Sequence, residues 1–138
     1  MALARLYQQV ILDHNRSPRH FGRLAEATHS ARGIDGLCGD DILVEVRLAG
    51  DRIDTAMFSG SACAVTTASA SMLMVWLPGR SRNEVKASAG RFESLLTDRD
   101  SADDPTLGEI NYLRAVGEFP ARMRNALLPW KTVVEALS

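Results

Sequence analysis

Leu3, Leu6, Tyr7, Val10 and Ile11 recur at i, i+3, i+4, i+7 and i+8, so the spacing predicts an amphipathic helix over residues 2–14. Pro18 biases Ser17 away from helical angles, and Asn15-Arg16-Ser17-Pro18 should end that helix. Residues 19–37 are polar and mixed, with a short edge strand expected near Ala27–Ile34. Ile42, Val44, Val46 and Leu48 then alternate with Asp41, Leu43, Glu45 and Arg47, the signature of a half-buried strand. Ala49-Gly50-Asp51-Arg52 makes a hairpin turn, and Ile53 to Phe58 returns as the partner strand. After Gly60 the period lengthens again, and Val65, Ala68, Ser69, Met72 and Trp76 share one helical face across residues 64–77.

Two later helices are announced by capping boxes, Ser81-x-x-Glu84 and Thr106-x-x-Glu109. Between them Asp98, Asp100, Asp103 and Asp104 read as a solvated acidic linker. Phe119 to Leu137 reads as helical with a break at Pro129. Strands lead and most helices follow, which argues an α+β fold with helices packed on one face of a sheet.

Composition narrows this picture only a little. With 138 residues, 46% hydrophobic and 24% charged, the chain suits one soluble domain over residues 1–138. A net charge of −1 gives no reason to expect nucleic acid or an acidic membrane surface as partner. The longest apolar run, Met72 to Leu77, stops at Pro78-Gly79, far short of the roughly 18 residues a membrane span needs. Arg5, Gln8, Gln9 and Asp13 interrupt the N-terminal apolar residues, so no signal-peptide form is expected. The cytoplasm follows as the expected compartment, where a cysteine pair is more often catalytic or metal-binding than a disulfide.

The two cysteines carry the candidate chemistry. Cys63 lies in Gly60-Ser61-Ala62-Cys63-Ala64, at a strand-to-helix junction where unpaired amides and the macrodipole favour an anion. The same position also suits a small apolar residue in a tight corner. Cys38 lies in Gly36-Leu37-Cys38-Gly39-Asp40, and a Cys-x-Asp unit can present a thiolate and a carboxylate to zinc. Asp40 could equally bond its own turn. Cys38 precedes one strand of the hairpin and Cys63 follows the other, so antiparallel pairing brings the two flanks together. A thiol redox pair between them is a further possibility, requiring Cα atoms within about 7 Å. His14, His20 and His29 have no partner at metal-binding spacing and read as solvated or hydrogen-bonded.

The chain resembles the NifU/IscU family of iron–sulfur cluster assembly proteins, in its SufU-like branch. The resemblance rests on Leu6-Tyr7-Gln8-Gln9-Val10-Ile11-Leu12-Asp13-His14, Ser17-Pro18-Arg19, Cys38-Gly39-Asp40 and Phe58-Ser59-Gly60-Ser61-Ala62-Cys63. Ala68-Ser69-Ala70-Ser71-Met72, Phe119-Pro120-Ala121-Arg122 and Trp130-Lys131 complete it, with an insertion-like stretch between Cys63 and Phe119. It implies a small antiparallel sheet of about three strands with helices on one side, a SufE/NifU-like fold. It also implies a site of three cysteines and one aspartate holding zinc or a transient iron–sulfur cluster. Cys38, Asp40 and Cys63 match three of those positions, and Cys38 also matches the sulfur acceptor. The fourth position reads Ala121-Arg122-Met123-Arg124-Asn125, where Asn125 offers a neutral amide in place of a thiolate. Pro129, within a turn of it, is a second departure.

An incomplete set leaves an open coordination position, which suits labile binding of zinc or cluster, or no metal at all. The resemblance further implies a cysteine desulfurase, other assembly proteins and apo-protein recipients as partners. The expected role is a scaffold, with sulfurtransferase activity through Cys38 as its enzymatic form. The alternative is a degenerate adaptor that binds a desulfurase and has given up metal and sulfur chemistry.

Overall fold

The computed structural model describes residues 2–138, and the side chains of residues 2–4 and 6 lie outside the described residues. Helix α1 (Ala2–Arg16) opens the chain, followed by strands β1 (His29–Asp35), β2 (Asp40–Ala49) and β3 (Arg52–Ser61). Helices α2 (Ala64–Trp76) and α3 (Arg82–Thr97), a 3-10 segment (Pro105–Glu118) and helix α4 (Pro120–Ala136) complete it. The strands form one antiparallel sheet in the order β1-β2-β3. The α+β architecture expected from the sequence is the one observed.

Alternation in β2 and β3 does what a period of two requires. Ile42, Val44 and Val46, with Ile53, Ala56 and Phe58, are at most 2% exposed and face the helical layer. Pairing sets Asp41 opposite Ser61 and Val44 opposite Phe58, with a register shift between Arg47 and Leu48 near the hairpin. Every residue of β1 is paired along β2, from His29 with Val46 to Asp35 with Asp40. Tyr7, Val10 and Ile11 of α1 pack on the core, while Leu3 and Leu6 of the same stripe fall outside the described side chains.

Helix α4 lies across the sheet at close range because Gly33 has no side chain. A Cβ there would run into the Thr132 hydroxyl and lie 3.3 Å from Leu128 Cδ1. This approach, with the Ser69 hydroxyl donating to the Ala126 carbonyl at 2.6 Å, holds the middle of α4 against β1 and α2.

Three sequence expectations need correction. Helix α2 is buried from Ala68 to Met74 without interruption, so it is a central helix and not one with a single buried face. No capping box forms at Thr106: Asp104 caps the segment, accepting from the Thr106 amide, with Pro105 following and Gly108 at φ 52° breaking the turn. Helix α4 runs through Pro129 without ending, because that residue is buried in the core and tertiary packing outweighs the lost backbone bond. The acidic loop is solvated as expected at Asp98, Asp100 and Asp103, and only Asp104 is drawn in, held by Arg91 at 2.8 Å. Elsewhere the boundaries move by a few residues, and the capping box at Ser81 and Glu84 forms as expected.

Glu45, on the sheet face away from the helices, is 6% exposed because residues 23 and 24 cover it. Arg23 Nε donates to it at 2.8 Å and the Leu24 amide at 3.1 Å, and the Arg23 bond above all lowers its pKa. A folded-state pKa below the unfolded value contributes stability that is complete above the unfolded pKa and is lost as pH falls through the folded one. The stability of the native protein is therefore expected to fall on acidification below about pH 4.5, the ordinary glutamate value. Glu45→Gln should flatten that acid limb in urea melts from neutral pH to pH ~3. An unchanged slope would mean that the Arg23 bond contributes nothing.

Candidate functional site

The β2–β3 register places the first residue of β2 beside the strand-to-helix corner. Cys63 is the N-cap of α2, with extended backbone (φ −69°, ψ 168°) and no cap bond from its own side chain. Its amide is satisfied instead by Asp40, which accepts it on Oδ1 at 2.8 Å. Asp40 therefore serves the helix N-terminus, where a carboxylate is favoured.

The other carboxylate oxygen is more crowded. Asp40 Oδ2 accepts the Thr66 hydroxyl at 2.5 Å and Asn125 Nδ2 at 3.0 Å, and lies 3.9 Å from Cys63 Sγ. Asp40, Thr66 and Asn125 are 1%, 0% and 5% exposed, so these bonds are made out of water, where an unpaired carboxylate would be costly. The single proton of the Thr66 hydroxyl is committed to Asp40. The 3.3 Å contact between Cys63 Sγ and Thr66 Oγ1 therefore runs from thiol to hydroxyl oxygen.

Cys38 belongs to a different set of contacts. It sits half-buried in the turn between β1 and β2, its amide donating to the Asp35 carbonyl at 3.3 Å. Gly39 follows at φ 72°, a left-handed turn that redirects the chain between Cys38 and Asp40. The Cys38 sulfur accepts from Arg124 Nη2 at 3.8 Å, and Arg124 Nε donates to Asp35 Oδ2 at 3.2 Å. Asp35 also accepts the Leu37 amide on Oδ1 at 3.1 Å, and the Arg124 bond is the main reason its pKa is lowered. One cysteine thus donates into a buried carboxylate cluster, while the other receives from a guanidinium near the surface.

Of the four residues singled out in the sequence, Asp40, Cys63 and Asn125 come together, and Asn125 faces the site through its amide nitrogen. Cys38 enters through its neighbour, because Arg124 and Asn125 are consecutive on α4. Three participants were missed. Thr66 stands at the third helical position after Cys63, where a hydroxyl carries no capping signal of its own. Asp35 and Arg124 are distant from each other in sequence; Arg124 adjoins Asn125 in the stretch already singled out, whereas nothing local marks Asp35. His14 is hydrogen-bonded as expected but also buried, between Ser71 Oγ and Glu109 Oε1, each at 2.7 Å, and it stands apart from this cluster.

A resident four-coordinate zinc would need both thiols ionised and a free lone pair on the aspartate. Here Asp40 Oδ2 is filled by Thr66 and Asn125 and Oδ1 caps the helix amide, the fourth position is an amide, and Cys38 is turned to a guanidinium. Among the described residues no three of His, Cys, Asp and Glu are gathered to hold a metal ion. The residues in this arrangement do not fit a resident metal.

The chain belongs to the family of the NifU-like N-terminal domain, whose model matches residues 6–126. It is 32% identical over 140 residues to the iron–sulfur cluster assembly scaffold protein IscU of Streptococcus pyogenes, covering 99% of this chain and 87% of that one. It is likewise 32% identical over 133 residues to the zinc-dependent sulfurtransferase SufU of Bacillus subtilis, covering 96% and 90%. Among solved structures it is similar to a candidate iron–sulfur cluster assembly scaffold protein for the SUF system from Fervidobacterium islandicum. The TM-score there is 0.87 at 27% identity, over 97% of this chain and 98% of that chain.

Proposed function

We propose that this chain is an iron–sulfur cluster assembly protein acting as a sulfur acceptor, with Cys38 as the accepting thiol. The observation that carries this reading is the division of labour between the cysteines: the Cys63 thiol is tied into a buried network, whereas the Cys38 sulfur sits in a surface turn facing Arg124. Family membership and the names of the relatives support iron–sulfur assembly as the process. The sulfur source is a cysteine desulfurase, and the recipients are other assembly proteins or apo-proteins. Iron, zinc or a nascent cluster is cargo here, held in passing near Cys38, Asp40 and Cys63. The cytoplasm, where free thiols stay reduced, is where we place this activity.

In the transfer the Cys38 thiolate attacks the terminal sulfur of the donor's persulfide. A new S–S bond forms on Cys38, the donor's S–S bond breaks, and the donor sulfur leaves as a thiolate that takes up the persulfide proton. The sulfane sulfur changes carrier with no net oxidation.

Anaerobic incubation with a cysteine desulfurase and cysteine, followed by intact-mass measurement, tests this. Native protein and Cys63→Ser should each gain the mass of one sulfur atom, and Cys38→Ser should gain none. Sulfur uptake by Cys38→Ser at the native rate would reject the reading. An adaptor that docks a desulfurase without chemistry is the second reading, favoured by the two donors that fill Oδ2 of Asp40. It predicts capture of the desulfurase with no sulfur on either cysteine.

A further inference from the structure

We propose that Arg124, oriented by Asp35, is the cationic partner of the Cys38 sulfur during transfer, and that the transfer needs no bound metal. This rests on the sulfur-acceptor reading above and assigns the group that stabilises the acceptor's charge. A thiolate nucleophile and the persulfide it becomes are both anions, and a surface turn offers them only water unless a cation is held nearby. Arg124 Nη2 stands 3.8 Å from Cys38 Sγ, within reach of a sulfur acceptor, and no residue intervenes in that contact.

The guanidinium is not free to drift. Its Nε is bound to Asp35 at 3.2 Å, and Asp35 is itself set by the Leu37 amide at 3.1 Å, one residue before the cysteine. The Asp35 side chain is only 12% exposed, against 45% for Arg124, so the anchor is sheltered and the working face is open. The turn and the helix are thus joined by one carboxylate that fixes both the sulfur's backbone and its cation. A guanidinium keeps its proton throughout the working pH range, so the side chain stays charged during transfer.

The same helix shows why a metal is not called on. Asn125, the next residue, donates to Asp40 Oδ2 at 3.0 Å, Thr66 takes the second lone pair of that oxygen, and the Cys63 amide binds Oδ1. A divalent ion would have to break these buried bonds to reach Oδ2, the oxygen nearest the Cys63 sulfur. Charge compensation for the accepting sulfur is already supplied from the other side, by Arg124.

The test uses the full chain, stripped of metal with a chelator, and glutathione persulfide as the sulfur donor. Formation of the Cys38 persulfide is followed by intact mass with time. The metal-free native protein should accept sulfur as fast as the untreated protein. Arg124→Ala should slow acceptance roughly tenfold, the scale of one hydrogen bond to a charged group, and Arg124→Lys should recover part of the loss. Asp35→Asn should fall between them. Arg122→Ala, which removes a neighbouring charge seated over Phe119, should behave as native. Thermal midpoints of all variants, measured alongside, separate a charge effect from a folding one. Arg124→Ala folded and as fast as native would overturn the proposal, as would acceptance that appears only after zinc is restored. Either result leaves Cys38 as the acceptor if Cys38→Ser remains inactive, so the failure of this inference and of the function reading are told apart.

Discussion

Asn125→Cys is expected to turn the buried cluster into a tight zinc site. Asn125 Nδ2 lies 3.0 Å from Asp40 Oδ2 and the Cys63 sulfur lies 3.9 Å from the same oxygen, so a thiol at this position arrives among two existing donor groups. The exchange removes a hydrogen-bond donor from Asp40, which frees a lone pair, and adds a thiolate. Cys38, two residues before Asp40, completes a set of three thiolates and one carboxylate of the kind tetrahedral zinc accepts once its sulfur turns from Arg124 to the ion. Zinc affinity of the variant should exceed that of the native protein by at least about a thousandfold, since complete structural sites bind with roughly 10–16 kcal/mol. Competition against a chromophoric chelator at neutral pH reads this directly. Because the ion binds the folded form, added zinc should also raise the thermal midpoint of Asn125→Cys and leave that of the native protein almost unmoved. Equal affinities would mean that the amide is not what keeps metal out.

Trp130→Ala should be the most damaging single truncation in the core. The indole of Trp130 is 1% exposed and stacks on Phe92 with centroids 5.3 Å apart, while Trp76 packs at 5.2 Å. It joins α2, α3 and α4, so its loss opens a cavity that no single element can close. The expected cost is about 3–5 kcal/mol, which for a chain of this size lowers the midpoint by on the order of 10 °C or more. Trp130→Phe should cost much less. The indole nitrogen of Trp130 is buried with no hydrogen-bond partner among the described residues, so the smaller ring gives up packing area but also removes an unsatisfied donor. Urea unfolding of both variants decides the matter, and equal losses for Ala and Phe would show that the stack contributes little.

Elements whose stability is local were legible in the sequence. The alternation from Asp41 to Leu48 reports a strand because it is buried on one face, and Ser81 with Glu84 reports a helix start because the bonds are made within one turn. Features decided by distant partners were not. Pro129 reads as a break but is carried through by packing against the core, and Glu45 looks solvent-facing until Arg23 and Leu24 fold over it. The site divides along the same line. Cys38, Asp40, Cys63 and Asn125 stand out by residue type and by position around the hairpin. Arg124 and Asp35 are ordinary charged residues 89 positions apart, and only the fold sets them beside each other.

Arg124 and Asn125 are neighbours on one helix, and that helix is seated against a strand residue that tolerates no side chain. They act as two prongs of a single yoke, separated by about 100° of rotation and about 1.5 Å of rise. Sliding or turning α4 would withdraw the cation from one sulfur and unseal the carboxylate beside the other in the same movement. A protein that docks against this helix could therefore govern both thiols at once without touching either.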